Sequence, residues 1–311
     1  MIKPYRLPKF KAMKTATWLF FLLVCALLLS FNSCKKSLPS QPQPTPTVSQ
    51  TNPITATTVY DYQFNDTSLT NHGWTKTFED NFDGDLSQWN VWTGGGFPGE
   101  LQCYESANTQ ILNGSLQLTA QQQTVTGPKG ISNDTLTTFN YTSGGVQCKT
   151  GISANASTPK VRIVTRVTIA AGYGMGTYIW SSGYNWPTNG SIEWSTSSGD
   201  ETHQFHTNYS YGTVVNQNMA TNAIEFNPTD ADLSASYHVY EMEWTQNTLT
   251  SYLDGKMVQS KTGGDIPDLF GKTEYVTLNL TVGGPLYTDL NTGNMQMGTA
   301  YVDFVKVFTS N

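Results

Sequence analysis

Residues 238–258 read HVYEMEWTQNTLTSYLDGKMV. From His238 to Trp244, and again from Thr248, apolar and polar side chains alternate with period two. β-Branched and aromatic residues dominate both runs, as they do in strands half-buried on a sheet. Asp254-Gly255 then supplies a turn signal. The same alternation recurs in SLQLTA (115–120), KVRIVTRVTI (160–169), YVTLNLTV (275–282) and AYVDFVKVF (300–308). Asn113-Gly114, Gly263-Gly264 and Gly283-Gly284 punctuate these runs. No twelve-residue window carries a helical stripe, and no long repeat is visible. Many short antiparallel strands over about 250 residues predict an all-β sandwich of two packed sheets.

Outside the strands the chain changes character. Residues 1–34 join a basic start (Arg6, Lys9, Lys11, Lys14) to the apolar run WLFFLLVCALLLS and end at Cys34. This order describes a secretory signal, and the apolar run is short for a membrane span. Cys34 resembles the lipid-modified cysteine of bacterial lipoproteins; the other reading is a simple secretory signal. Residues 35–58 are rich in Pro, Thr, Ser and Gln and read as an extended tether. The domain proper is expected at 59–311, exported and held by its anchor at a membrane of the cell envelope, as a monomer.

Beyond Cys34 lie twelve basic and all 23 acidic residues, a formal charge of −11. Such a surface argues against nucleic acid or anionic lipid as a partner and suits neutral polar ligands better. Cys103 and Cys148 either form a disulfide in an oxidising compartment or are two small buried hydrophobes. No phosphate loop, dinucleotide fingerprint or nucleophile elbow is present, and no cofactor is required.

Several segments match one family. FEDNFDGDLSQWN (78–90), GELQCYESANTQILNGSLQLTA (99–120), YTSGGVQCK (141–149), residues 238–258, LNLTVGG (278–284) and AYVDFVKVF resemble, in order, the strands of family 16 glycoside hydrolases. The resemblance implies a jelly-roll sandwich, concanavalin A-like, whose concave sheet forms a cleft for β-linked polysaccharide. In that family the catalytic strand reads Glu-Ile-Asp-Ile-Glu, or the same with one inserted residue, after a Trp-Pro and a Gly. Here Trp186-Pro187 and Gly190 precede GSIEWSTSSGD (190–200). Ser191 takes the position of the nucleophile and Glu193 that of the central Asp. Ser195, or Thr196 in the bulged form, takes that of the acid/base.

Residues i, i+2 and i+4 of a regular strand share a face, so Ser191, Glu193 and Ser195 are expected to face the cleft together. Retaining hydrolysis needs two carboxyl groups. Three readings of Glu193 stand side by side: a vestige that bonds sugar hydroxyls, a catalytic group served by a distant acid such as Asp200 or Glu201, or a structural carboxylate. The first makes the domain a glycan-binding protein and the second an endo-β-glycanase. Rings that could stack on sugars are Trp186, Tyr184 and Trp92, while Trp180 and Trp194 are expected in the core. Of His203 and His206, one is expected to face the cleft, with His206 the candidate. The resemblance also implies a structural calcium ion held by Asp303 and the carbonyl of Gly114. It marks two departures, Met175 where the family has Trp and Gly145 where it has Arg.

Overall fold

The computed structural model describes residues 62–130, 133–185, 188–212, 220–221, 225–287 and 289–311. The leader, Cys34, the tether and Trp186 lie outside these residues. Two large sheets carry the fold. One runs in the order Lys256–Thr262, Thr248–Leu253, His238–Trp244, Lys160–Thr168, Thr299–Ser310, Ser115–Thr119 and Thr109–Leu112, with Thr75–Asp80 also paired to 299–310. The other is concave and runs Ala220–Thr221, Gln204–Tyr211, Ser191–Ser198, Met175–Ser182, Tyr275–Val282, Gly145–Cys148 and Trp89–Val91, with Glu225–Pro228 also on 204–211. A smaller four-stranded sheet holds Gly94–Gly95, Gln102–Tyr104, Asn133–Ser143 and Gln121–Gly130.

The alternation in 238–244 sorts directly into these layers. Tyr240, Met242 and Trp244 enter the core between the sheets, where Ile163, Ile179, Ile192 and Leu278 meet them. Glu241 and Glu243 stand on the other face and are bridged by Arg162, whose Nε and Nη1 each donate at 2.9 Å. Asp254 and Gly255 both take positive φ, 49° and 73°, the backbone of a tight hairpin turn whose twist matches the strands. Val239 is turned outward as well. It joins Val164, Phe304 and Phe308 under a cover made by Leu69, Phe64 and Trp74. Residues 62–74 thus cap the outer face of the sandwich with a second small core.

Cys103 and Cys148 are both buried and both free thiols. The disulfide alternative is therefore set aside. Cys103 sits in the smaller sheet opposite Gly95 and Thr142, and Cys148 in the concave sheet opposite Trp89. Each serves as a small buried hydrophobe.

Candidate active site and glycan cleft

Gly190 opens the strand that decides the chemistry. It holds φ at 78°, and a Cβ there would lie 2.3 Å from Leu269 Cδ2 and 2.9 Å from the Ser210 carbonyl. Only glycine fits that approach. The strand Ser191–Ser198 then pairs with 175–182 on one side and 204–211 on the other.

The pairing contains a β-bulge. Trp180 lies opposite Glu193 and Ile179 opposite Ser195, so Trp194 is an extra residue with no partner of its own. Directly opposed residues share a face. Glu193 therefore faces with Trp180 toward the cleft. Ser195 turns with Ile179 into the core, where it is 1 % exposed and its hydroxyl is unbonded. Thr196 lies opposite Tyr178 and His206 and recovers the cleft face. The expected trio of Ser191, Glu193 and Ser195 is thus corrected to Ser191, Glu193 and Thr196, because the bulge shifts the alternation by one.

A cavity of about 530 Å³ opens over this face, lined among others by Phe97, Glu100, Tyr178, Trp180, Ser191, Glu193 and Asn279. Trp180 is a wall of the cleft, not a core residue as expected. Its Nε1 donates to Asn279 Oδ1 at 2.8 Å, and its ring meets Trp92 and Phe97 edge-on. Trp194 is buried in the core as expected. Trp92 stands behind Trp180 against Tyr104. It also occupies the space above Gly145, where a Cβ would come within 3.0 Å of its ring. A larger residue at 145 would displace Trp92. Met175 is fully buried opposite Val282 in the core, so that departure bears on packing and not on the cleft. Tyr184 is 62 % exposed and stacks on Tyr275 at 4.1 Å, outside the lining of this cavity.

Glu193 makes no hydrogen bond and no ion pair among the described residues. Burial pushes its carboxyl up to about 7; the nearby Thr196 hydroxyl opposes that rise without closing a bond of ordinary length. Asn208 lies opposite Glu193 and is 8 % exposed, with its Oδ1 unbonded. His206 is on the cleft face, its ring packed on Phe226 at 4.2 Å, and burial lowers its basicity. His203 is exposed in the preceding turn.

A second carboxyl shares the cavity, Glu100. Burial raises its pKa, and its Oε2 accepts from Gln102 Nε2 at 2.6 Å and the Phe97 amide at 3.1 Å. Sequence reasoning passed over it, because a lone Glu in GELQ carries no local signal. Asp200 and Glu201 are drawn elsewhere. Asp200 accepts from Ser198 and Tyr287 in an exposed turn, and Glu201 accepts from Gln204.

The calcium site implied by the resemblance fits poorly. Asp303 Oδ2 accepts from Arg166 Nη1 at 2.6 Å, and no group of three or more His, Cys, Asp or Glu that could hold a metal occurs among the described residues. Gly114 lies in a turn beside Asp83, with φ at 72°. A guanidinium on the carboxylate opposes a divalent cation, which needs six to eight oxygens. Adding EDTA is expected to leave the melting temperature unchanged in differential scanning fluorimetry; a drop reversed by added calcium would show a metal site here.

An all-β sandwich whose concave sheet lines a cavity with indole and phenol rings, amides and a carboxyl is the architecture of a carbohydrate-active domain. The family model for glycosyl hydrolases family 16 matches residues 101–295, and the chain belongs to that family. The clotting factor G alpha subunit of Tachypleus tridentatus is 24% identical over 265 residues, 76% of this chain. The chain spans only 34% of that relative's length. Among solved structures, the endo-β-1,3-glucanase of Pyrococcus furiosus superposes with a TM-score of 0.64 at 24% identity, covering 76% of this chain and 95% of that one. A family 16 endo-glucanase of Bacteroides ovatus gives 0.60 at 22%, covering 74% and 99%. These two likenesses bear on the fold.

Proposed function

We propose that this domain binds β-linked polysaccharide and has lost the retaining hydrolysis of its family, as an exported protein held by a lipid at Cys34 to the cell envelope. One observation carries the reading. The cleft-facing positions where the family places its nucleophile and its acid/base hold hydroxyls, Ser191 and Thr196, and Glu193 is the one carboxyl of that strand. A serine without a base to activate it is a weak nucleophile, and one carboxyl cannot both attack the sugar and protonate the leaving oxygen. The reading is supported by what the cleft offers a sugar, the Trp180 ring for C–H groups and the Ser191 and Ser210 hydroxyls with the unbonded Asn208 Oδ1 for its hydroxyls. The relatives' glucanase descriptions support a β-glucan as the first ligand to try.

The test is to incubate the full-length protein with laminarin, mixed-linkage glucan, xyloglucan, agarose and carrageenan, assaying new reducing ends and retention in affinity gels. Retention without new ends is the expected result. Trp180→Ala is expected to weaken that retention about thirtyfold, ~2 kcal/mol for a buried aromatic anchor. Equal retention would remove Trp180 from the site. A second reading, an active endo-β-glycanase using Glu193 with a non-family partner, is favoured by Glu100 on the same cavity. Cleavage abolished by Glu193→Gln would establish it instead.

A further inference from the structure

Resting on the binding reading, we propose that the cleft selects a cationic glycan, a β-linked chain of 2-amino-2-deoxy sugars with free ammonium groups, which Glu100 and Glu193 hold from two sides. Both side chains line one cavity. No Lys, Arg or His lines it with them. The residues from 62 onward that lie outside the described set, such as Trp186-Pro187 and 213–219, contain no basic side chain either. Glu193 has no ion-pair partner among the described residues, and the Thr196 hydroxyl is the one donor that approaches it. All the hydrogen bonds that Glu100 accepts fall on Oε2, which leaves Oε1 free for a ligand. Beside Glu193, the buried and unbonded Asn208 Oδ1 is one more acceptor without a donor.

The two carboxyls and the Asn208 Oδ1 are acceptors set among the hydroxyls of Ser182, Ser191 and Ser210. Unpaired acidic groups at a desolvated surface are costly, and a ligand cation offsets that cost where a neutral sugar does not. The walls point the same way. Trp180, Tyr178 and Phe97 present ring faces and edges around the two carboxyls, and an ammonium gains from an aromatic face as well as from a carboxylate. Burial above all disfavours ionisation of the Tyr178 phenol, and both carboxyls add to that effect. The formal charge of −11 beyond Cys34 steers cations toward the domain. An N-acetylated or unsubstituted glycan has the same ring faces but brings no charge to either carboxyl.

The experiment is calorimetric titration of the full-length protein with three hexasaccharides: β-1,4-linked glucosamine, its fully N-acetylated form, and laminarihexaose. The glucosamine chain is expected to bind at least about tenfold tighter than either neutral chain, the advantage shrinking as salt rises from about 50 to 500 mM. Glu100→Gln is expected to cut that discrimination about tenfold, and Glu193→Gln to do likewise. If laminarihexaose binds as tightly as the glucosamine chain, the inference is wrong while the binding reading stands. If the glucosamine chain binds in a salt-dependent way that neither variant alters, it sits on the acidic surface and the inference is again wrong. If no oligosaccharide binds, both fall.

Discussion

A glutamate at position 195 is expected to destabilise the domain more than the same glutamate at position 196. Ser195 is 1 % exposed, lies opposite Ile179 and is surrounded by the core between the sheets. A carboxylate placed there would be buried with no cation and no spare donors, costing several kcal/mol. A domain of this kind has on the order of 5–15 kcal/mol in all. Thr196 is itself only 3 % exposed, but it lies on the cleft face opposite Tyr178 and His206 and not in the core. Thermal melts of Ser195→Glu and Thr196→Glu, side by side, measure the difference. Two equal melting temperatures would mean that the bulge at Trp194 is not where the pairing puts it. The chemistry goes further. Ser191→Glu with Thr196→Glu returns two carboxyl groups to one face of the strand, with Glu193 between them. Reducing-end release from the bound glucan is then expected at least about a hundredfold above the unaltered protein, the scale of one general acid/base group. The pairing of Ser191→Glu with Ser195→Glu is expected to give none.

This contrast also marks how far the sequence carries. The strands were legible because their period of two records which face is buried, and 238–258 shows it in its most complete form. The position of Glu193 was legible through Gly190, whose positive φ and close approach to Leu269 admit no other residue. The resemblance left Ser195 and, in a bulged form, Thr196 both open, and nothing in the sequence decided between them. A bulge depends on which residues of the neighbouring strand pair with which, and Trp194 looks like any other strand tryptophan until Trp180 and Ile179 are set opposite Glu193 and Ser195. Trp180 was misplaced for a related reason, since an aromatic residue fits either face of a strand and only the phase set by Ile179 decides. Glu100 and the cap at 62–74 depend on contacts far apart in the chain, which no local pattern encodes.

Glu274 makes the second large effect. In GKTEYVT it reads as a solvated residue ahead of a strand. In the fold it is fully buried, receives the Ser181 hydroxyl, and leaves Oε1 unbonded. Burial pushes its carboxyl up to about 8. The native state therefore keeps a proton that the unfolded chain releases near 4.5, the ordinary value for this group. From this group stability must then fall as pH rises from about 4.5 to about 8, by on the order of 5 kcal/mol in total. Glu193, raised to about 7, adds to that fall up to about pH 8, and His206, lowered by burial, acts in the opposite sense below 6.5. Between pH 7 and 8 the larger part of the slope belongs to Glu274 and the smaller part to Glu193. Glu274→Gln keeps an acceptor for Ser181 and has no proton to lose. Urea unfolding is expected to show the unaltered protein losing somewhat over 1 kcal/mol, on the order of the two groups' sum, between pH 7 and 8 while the variant keeps only the small Glu193 part of that slope, and the variant to be the more stable of the two at pH 9. If the slope survives the substitution undiminished, the titrating group is another one. If the variant is weaker at every pH but nearly level, the proton assignment holds and the amide's second donor is what the core cannot satisfy.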